Sequence, residues 1–193
     1  LNWTVRVKNP QLFIAETVGN NIDEHLNTQK KSMGIFNFSK KEELNYTDFN
    51  TMMIDNVYLI KIPKEWNKYE SDRFRARTKN KKIDFSITNY GKEISTPDNF
   101  GIEDLKNQFL PLFDKFVNEG GYVSNKDLEI GENFIYQSFK VGKETQYYYY
   151  TSRVIKNDLR VVIALIIRQI GKLEPKHTEL IKDMGKSITH KIA

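Results

Sequence analysis

Between Phe134 and Ile170 the chain reads FIYQSFKVGKETQYYYYTSRVIKNDLRVVIALIIRQI, three β-rich runs separated by Gly142-Lys143 and Asn157-Asp158. Connections this short leave room only for antiparallel neighbours. The last run is apolar at successive positions from Val161 to Ile167, the pattern of a strand covered on both faces, so it belongs in the middle of a sheet. In the run from Thr145 to Ile155, alternation sends Tyr147 and Tyr149 to one side and Tyr148 and Tyr150 to the other, as packing beneath helices requires.

The rest of the fold is read outward from this meander. A fourth strand is expected from Tyr122 to Ile130, joined by a turn at Gly131-Glu132-Asn133. Further upstream, Val57 to Ile62 is a strand closed by Pro63, which has no N–H to give a ladder, and a loop carrying Trp66 follows. Arg73 to Thr78 alternates: Phe74, Ala76 and Thr78 share one face, Arg73, Arg75 and Arg77 the other, and Asn80-Lys81 turns the chain into Ile83, Phe85 and Ile87. After a loop with Gly91, Pro97 and Gly101 the period becomes helical, with Ile102, Leu105, Phe109, Leu112, Phe113 and Phe116 in one stripe ended by Gly120-Gly121. Pro111 is expected to kink or split this helix near Gln108. Pro175 opens a terminal helix whose apolar side is Leu180, Ile181, Met184, Ile188 and Ile192. The fold class expected is α+β, an antiparallel sheet of about six to seven strands flanked by helices.

Composition narrows function by exclusion. The 193 residues include no cysteine, so thiol nucleophiles, disulfides, cysteine-held zinc or iron–sulfur centres and a lipidated cysteine are all excluded. Thirty Lys and Arg against 25 Asp and Glu give a net charge of +5. The acids are interleaved along the chain, so this excess alone does not make a polyanion site. The apolar run from Val161 to Ile167 is far short of the roughly 20 residues that cross a bilayer, so no membrane insertion is expected. Residues 1–29 show no apolar signal core, and a cytoplasmic location is expected.

The stretch beginning Met33-Gly34-Ile35-Phe36 and running into Lys40-Lys41 reads like the start of a small bacterial cytosolic protein. Residues 1–32 are accordingly expected to be a non-native or disordered extension, 33–52 an N-terminal segment, and 53–193 the domain.

The order of strand hairpin, helix, meander and helix, with the phrase Tyr58-Leu-Ile-Lys-Ile-Pro-Lys-Glu-Trp66, resembles the PsbP-like α/β/α sandwich superfamily, and its DcrB-related bacterial branch most of all. The resemblance spans roughly residues 53 to 192. It implies a non-catalytic binding or assembly module, since the superfamily includes photosystem II extrinsic subunits, a Ran-binding import factor and Eag-type chaperones that shield apolar segments of secreted effectors. None of those proteins' functional residues is matched here.

The residues themselves offer no catalytic constellation. Phosphate-loop, dinucleotide-loop and nucleophile-elbow signatures are absent, and Gly142-Lys143 reads as a hairpin turn. His25, His177 and His190 are read as surface residues; the last two, placed on the terminal helix, do not share a face and form no metal pair. Glu42-Glu43 and Glu103-Asp104 sit where helix starts favour acids. No enzyme activity, metal or cofactor is expected. The expected function is binding of another protein, as a chaperone or adaptor, in a groove lined by Tyr58, Ile60, Trp66, Phe85, Tyr148 and Tyr150, because aromatic residues bury much area with few lost rotamers. The alternative is nucleic-acid or polyanion binding through Arg73, Arg75 and Arg77 with Lys79, Lys81 and Lys82.

Overall fold

A computed structural model describes residues 46–54, 58–69, 71, 73–93, 101–154 and 159–190. All of them fall in one compact unit, residues 45–193. The expectations for residues 1–32, for the Met33 start, and for His25, Glu42-Glu43 and Ile192 lie outside the described residues.

The meander forms as its turns require. β8 (Phe134–Val141), β9 (Glu144–Val154) and β10 (Leu159–Ile170) are antiparallel, with Gly142 at φ +57° in the turn between the first two. β10 pairs on its other side with β5 (Ile83–Glu93), which puts the apolar run at the centre of the sheet. Val162 through Ile167 are all buried, so both faces are covered. β5 runs on through Gly91, where a loop was expected, because β10 is long enough to pair with it as far as Glu93. β4 (Phe74–Arg77) and the short β3 (Asn67–Tyr69) complete that side, while β6 (Val123–Ser124) and β7 (Glu129–Ile130) both pair with β8 on the other. The sheet therefore has eight strands among the described residues. Tyr122 to Ile130 is not one strand, since the Asp127 carboxylate pulls the chain out of line by accepting the Ser138 N–H at 2.9 Å, and Lys126 takes φ +59°.

Register assigns the two faces. Tyr148 and Tyr150 lie opposite Ile166 and Ala164, and against them packs α1 (Ile102–Asn118) through Phe109, Phe113 and Phe116. Tyr147 and Tyr149 lie opposite Ile167 and Leu165, beneath α2 (Pro175–Lys186). Gly185 lets α2 approach closely: a Cβ there would sit 2.2 Å from the Tyr149 ring. The two helices thus cover opposite faces of a mostly antiparallel sheet. α1 continues unbroken through Pro111, so the expected split does not occur. Pro111 is exposed, as are Asn107 and Gln108 one turn earlier, which lets water satisfy the carbonyl the proline leaves without a donor.

A second sheet was not anticipated. β1 (Phe49–Ile54) and β2 (Tyr58–Pro63) are antiparallel, and β11 (Thr189–His190) pairs with the other side of β2. The fold therefore takes in residues before 53. α2 stops at Lys186 because Ser187 caps it, donating to the Met184 carbonyl at 2.7 Å while accepting the Lys61 N–H at 3.0 Å. That side chain passes the chain from helix to sheet, so His190 lies on a strand and not on the helix.

One turn carries avoidable strain. Lys81 sits at φ +58°, between Thr78 and Ile83, whose backbones close the β4–β5 hairpin, with Asn80 Oδ1 accepting the Lys82 N–H. Glycine adopts that conformation without Cβ crowding, partly offset by its greater freedom when unfolded. Lys81→Gly should raise stability by about 0.5 kcal/mol, readable as a rise of about 1–2 °C in melting temperature. A fall would mean the lysine side chain makes a favourable contact that its exposure does not suggest.

Candidate functional site

The six residues expected to line one groove do not share a surface. Tyr58, Ile60, Trp66, Phe85, Tyr148 and Tyr150 are all buried. Phe85 stands opposite Ile167, which stands opposite Tyr147, so Phe85 is on the α2 side of the sheet. Trp66 packs on Phe85 with ring centroids 5.7 Å apart. Tyr148 and Tyr150 are on the α1 side, with Tyr150 stacked on Phe109 at 3.8 Å. Tyr58 and Ile60 belong to the inner face of the small sheet, opposite Ile54 and Met52. The sheet itself separates the two halves of the expected groove, and these residues are core.

The basic residues are more accessible. Alternation holds Arg73, Arg75 and Arg77 half-buried on the α1 side of the sheet, and Lys79, Lys81 and Lys82 are exposed around the hairpin turn. Two of the arginines are drawn onto Tyr69. Arg75 donates to the Tyr69 hydroxyl at 3.4 Å, and the Arg77 guanidinium lies 4.6 Å from the Tyr69 ring centre. The same hydroxyl donates to Asp84. β4 is not the sheet's edge; β3 lies outside it.

His177 is the clearest departure from the sequence reading. It is 1% exposed and sits at the start of α2 in a chain of hydrogen bonds. Gln169 donates its amide N–H groups to the Lys172 carbonyl and to Glu174 Oε1, both at 3.1 Å, which fixes its Oε1 as an acceptor. That oxygen takes the Tyr147 hydroxyl at 2.8 Å and the His177 Nδ1–H. Nε2 is left as an acceptor for the Tyr46 hydroxyl at 2.7 Å. The Glu174 N–H closes the chain by donating to the Tyr147 oxygen at 2.9 Å. Burial pushes the His177 imidazole down to about 4, pushes Tyr147 up to about 12 and raises Tyr46 well above its usual range. Both His177 nitrogens, the Gln169 amide and the Tyr46 and Tyr147 hydroxyls find partners here, so the cluster ties Tyr46 and α2 to the sheet.

A second polar cluster anchors the Asp127 loop. Asp127 accepts from the Ser138 hydroxyl and from Tyr136, whose hydroxyl also meets Thr178 Oγ1 at 2.8 Å. Lys182 pairs with Glu129 and lies 5.1 Å from the Tyr136 ring centre. The acids at the start of α1 behave as helix-start acids should: Asp104 caps the Gly101 N–H at 2.7 Å and Glu103 pairs with Lys106. Among the described residues, no three His, Asp or Glu side chains are grouped to hold a metal ion, and no helix is long and apolar enough to cross a membrane.

The accessible feature that sequence reasoning missed is the outer edge of β1. Among the described residues β1 hydrogen-bonds to β2 alone. On one face of β1 Ile54 is buried, Met52 half-buried and Asn50 exposed; on the other Phe49, Thr51 and Met53 are all exposed, the two apolar ones at 39% and 42%. The stretch Phe49-Asn50-Thr51-Met52-Met53-Ile54 holds no charge and no proline, the usual devices that keep a strand edge from pairing. No protein-family model matches this sequence, and no curated protein matches it.

Proposed function

We propose that this chain is a non-enzymatic protein-binding module of the PsbP-like, DcrB-related kind, a cytoplasmic chaperone or adaptor that holds an extended segment of another protein by strand addition at β1. The observation that carries the reading is an uncharged edge strand with exposed Phe49 and Met53 and no strand on its outer side among the described residues. Main-chain hydrogen bonds would supply affinity there, and the two apolar side chains preference for an apolar segment. Helices on opposite faces of an antiparallel sheet support the family resemblance. The surface replaces the aromatic groove expected from sequence, whose residues are core.

A second reading keeps the basic patch as a polyanion site, favoured by Arg73, Arg75 and Arg77 sharing one face beside Lys79, Lys81 and Lys82. One experiment separates the two. Tagged full-length protein is used to recover partners from native lysate, as wild type, as Thr51→Pro and as the double variant Lys79→Glu/Lys82→Glu. The expected result is one stoichiometric, salt-resistant protein partner, reduced at least about tenfold by Thr51→Pro, since proline removes an edge N–H, and unchanged in the lysine variant. A partner retained by Thr51→Pro would refute the edge as the site. Recovery of nucleic acid, falling steeply with salt and lost in the lysine variant, would establish the polyanion reading instead.

A further inference from the structure

The direction of the β1 backbone groups that no strand pairs among the described residues follows from the pairing with β2. The Lys64 N–H bonds the Asp48 carbonyl at 2.9 Å, so Asp48, and by alternation Asn50, Met52 and Ile54, turn their N–H and C=O toward β2. The Lys61 N–H, of opposite parity on β2, points the other way, to Ser187. Phe49, Thr51 and Met53 therefore present their N–H and C=O outward. These are the same residues whose side chains occupy the exposed face.

We propose that this edge pairs with the same edge of a second copy of the chain, antiparallel about a two-fold axis at Thr51, joining two three-stranded sheets into one of six strands. The inference rests on the reading of β1 as a binding edge and names its partner. Centring the axis on Thr51 puts each outward N–H opposite an outward C=O. In the same register Phe49 falls beside Met53 of the other copy, on the exposed face, and Thr51 meets its own equivalent. The apolar side chains that water now meets cover each other, and threonine pairs are favourable across strands. Slipping the register by one residue would set Phe49 against Ile54, which belongs to the buried face, so the self-match is particular to this register.

Charge permits this occupant. β1 carries none, so two copies bring no like charges into direct opposition along the paired strands. The net charge of +5 on each copy opposes approach at longer range, and salt should relieve that repulsion. A strip one strand wide is smaller than the roughly 1,200 Å² of a standard interface, so the dimer should be weak and exchange readily with a better-matched client strand.

Sedimentation equilibrium on the full chain tests this. The weight-average mass should rise from the monomer value of 22.7 kDa toward twice that as concentration passes through about 0.1 mM, and the association should strengthen as salt is raised. Thr51→Pro and, separately, Met53→Lys should each weaken it at least about tenfold, with unchanged circular dichroism, because neither touches the β1–β2 hydrogen bonds. Val123→Lys, at an exposed apolar residue on another edge, should leave it intact. A chain that stays monomeric throughout, or a dimer indifferent to both β1 variants, overturns the proposal. A monomeric chain whose lysate partner is nonetheless lost in Thr51→Pro overturns the self-pairing and leaves the binding-edge reading standing.

Discussion

Replacing Phe113 with alanine should destabilise the protein by about 3–5 kcal/mol, the range for removing a buried phenylalanine and leaving its cavity unfilled. Phe113 is the middle one of three phenylalanines, with Phe109 and Phe116, through which α1 grips the sheet. Its ring lies 5.3 Å from Phe139, 5.7 Å from Tyr150, 6.2 Å from Tyr148 and 6.3 Å from Phe116, centre to centre. These rings come from three elements, and a methyl group cannot fill the space among them. The strands beneath are held by long ladders and cannot sink to close the gap. At a total stability of about 0.05–0.15 kcal/mol per residue, the loss is a large share of the whole. Urea denaturation of wild type and Phe113→Ala measures it, with Val117→Ala as the control. Val117 is one turn further along α1 but exposed, and should change stability by no more than about 0.5 kcal/mol. A loss below about 1.5 kcal/mol for Phe113→Ala would mean that α1 is not anchored where its rings place it.

The elements legible in the sequence are those whose signal is local. Gly142-Lys143 makes a turn by itself, the apolar run Val161–Ile167 announces burial on both sides, and the stripe from Leu105 to Phe116 is long enough to show its period. The elements that escaped depend on a distant partner. Asn67–Tyr69 is a strand because β4 lies beside it, and three residues show no period. Thr189–His190 continues the helical spacing of Leu180, Ile181, Met184 and Ile188 closely enough that only the Ser187 contacts with Met184 and Lys61 reveal the change. In β1, Asn50 and Thr51 interrupt an apolar pattern that two consecutive methionines then blur.

The aromatic residues expected to line a groove were legible in type but not in placement. Alternation correctly divides the four consecutive tyrosines between two faces, yet nothing local says which face Phe85 joins. That is settled by the register of β5 against β10 and of β10 against β9, a non-local property. A groove combining Trp66 and Phe85 with Tyr148 and Tyr150 therefore looked consistent until the register placed the sheet between them. His177 did carry a signal: it stands three and four residues before Leu180 and Ile181, on the apolar stripe, where a histidine must be buried and bonded. The edge of β1 that no described strand covers could not be read at all, because an unpaired edge is a statement about what fails to pair.

The stability of the fold should fall on acidification through His177, and its sign follows from the hydrogen bonds. The neutral imidazole donates from Nδ1 to Gln169 and accepts at Nε2 from Tyr46. Adding a proton at Nε2 sets two donors against each other, because Tyr46 must then withdraw or turn its hydroxyl. Glu174 nearby favours the cation and Lys176 opposes it, but burial outweighs both and holds the group at about 4 against 6.5 in the unfolded chain. Between those values the unfolded chain binds more proton than the folded one. The contribution is therefore complete above about pH 6.5, declines as pH falls, and is gone below about pH 4. At about 1.4 kcal/mol per pH unit the loss is about 3 kcal/mol. Urea unfolding at pH 7 and pH 4 should show this difference in excess over His177→Gln, which keeps a polar side chain that does not titrate. Nuclear magnetic resonance of the imidazole protons gives an independent reading, since His177 should stay neutral down to about pH 4. Equal acid sensitivity in the two proteins, or a His177 titration near 6.5, would mean that the Tyr46–His177–Gln169 chain does not hold the ring neutral. Loss of Tyr46 from Nε2 would then be the first contact to examine, since it joins residue 46 to α2 across 131 positions of sequence.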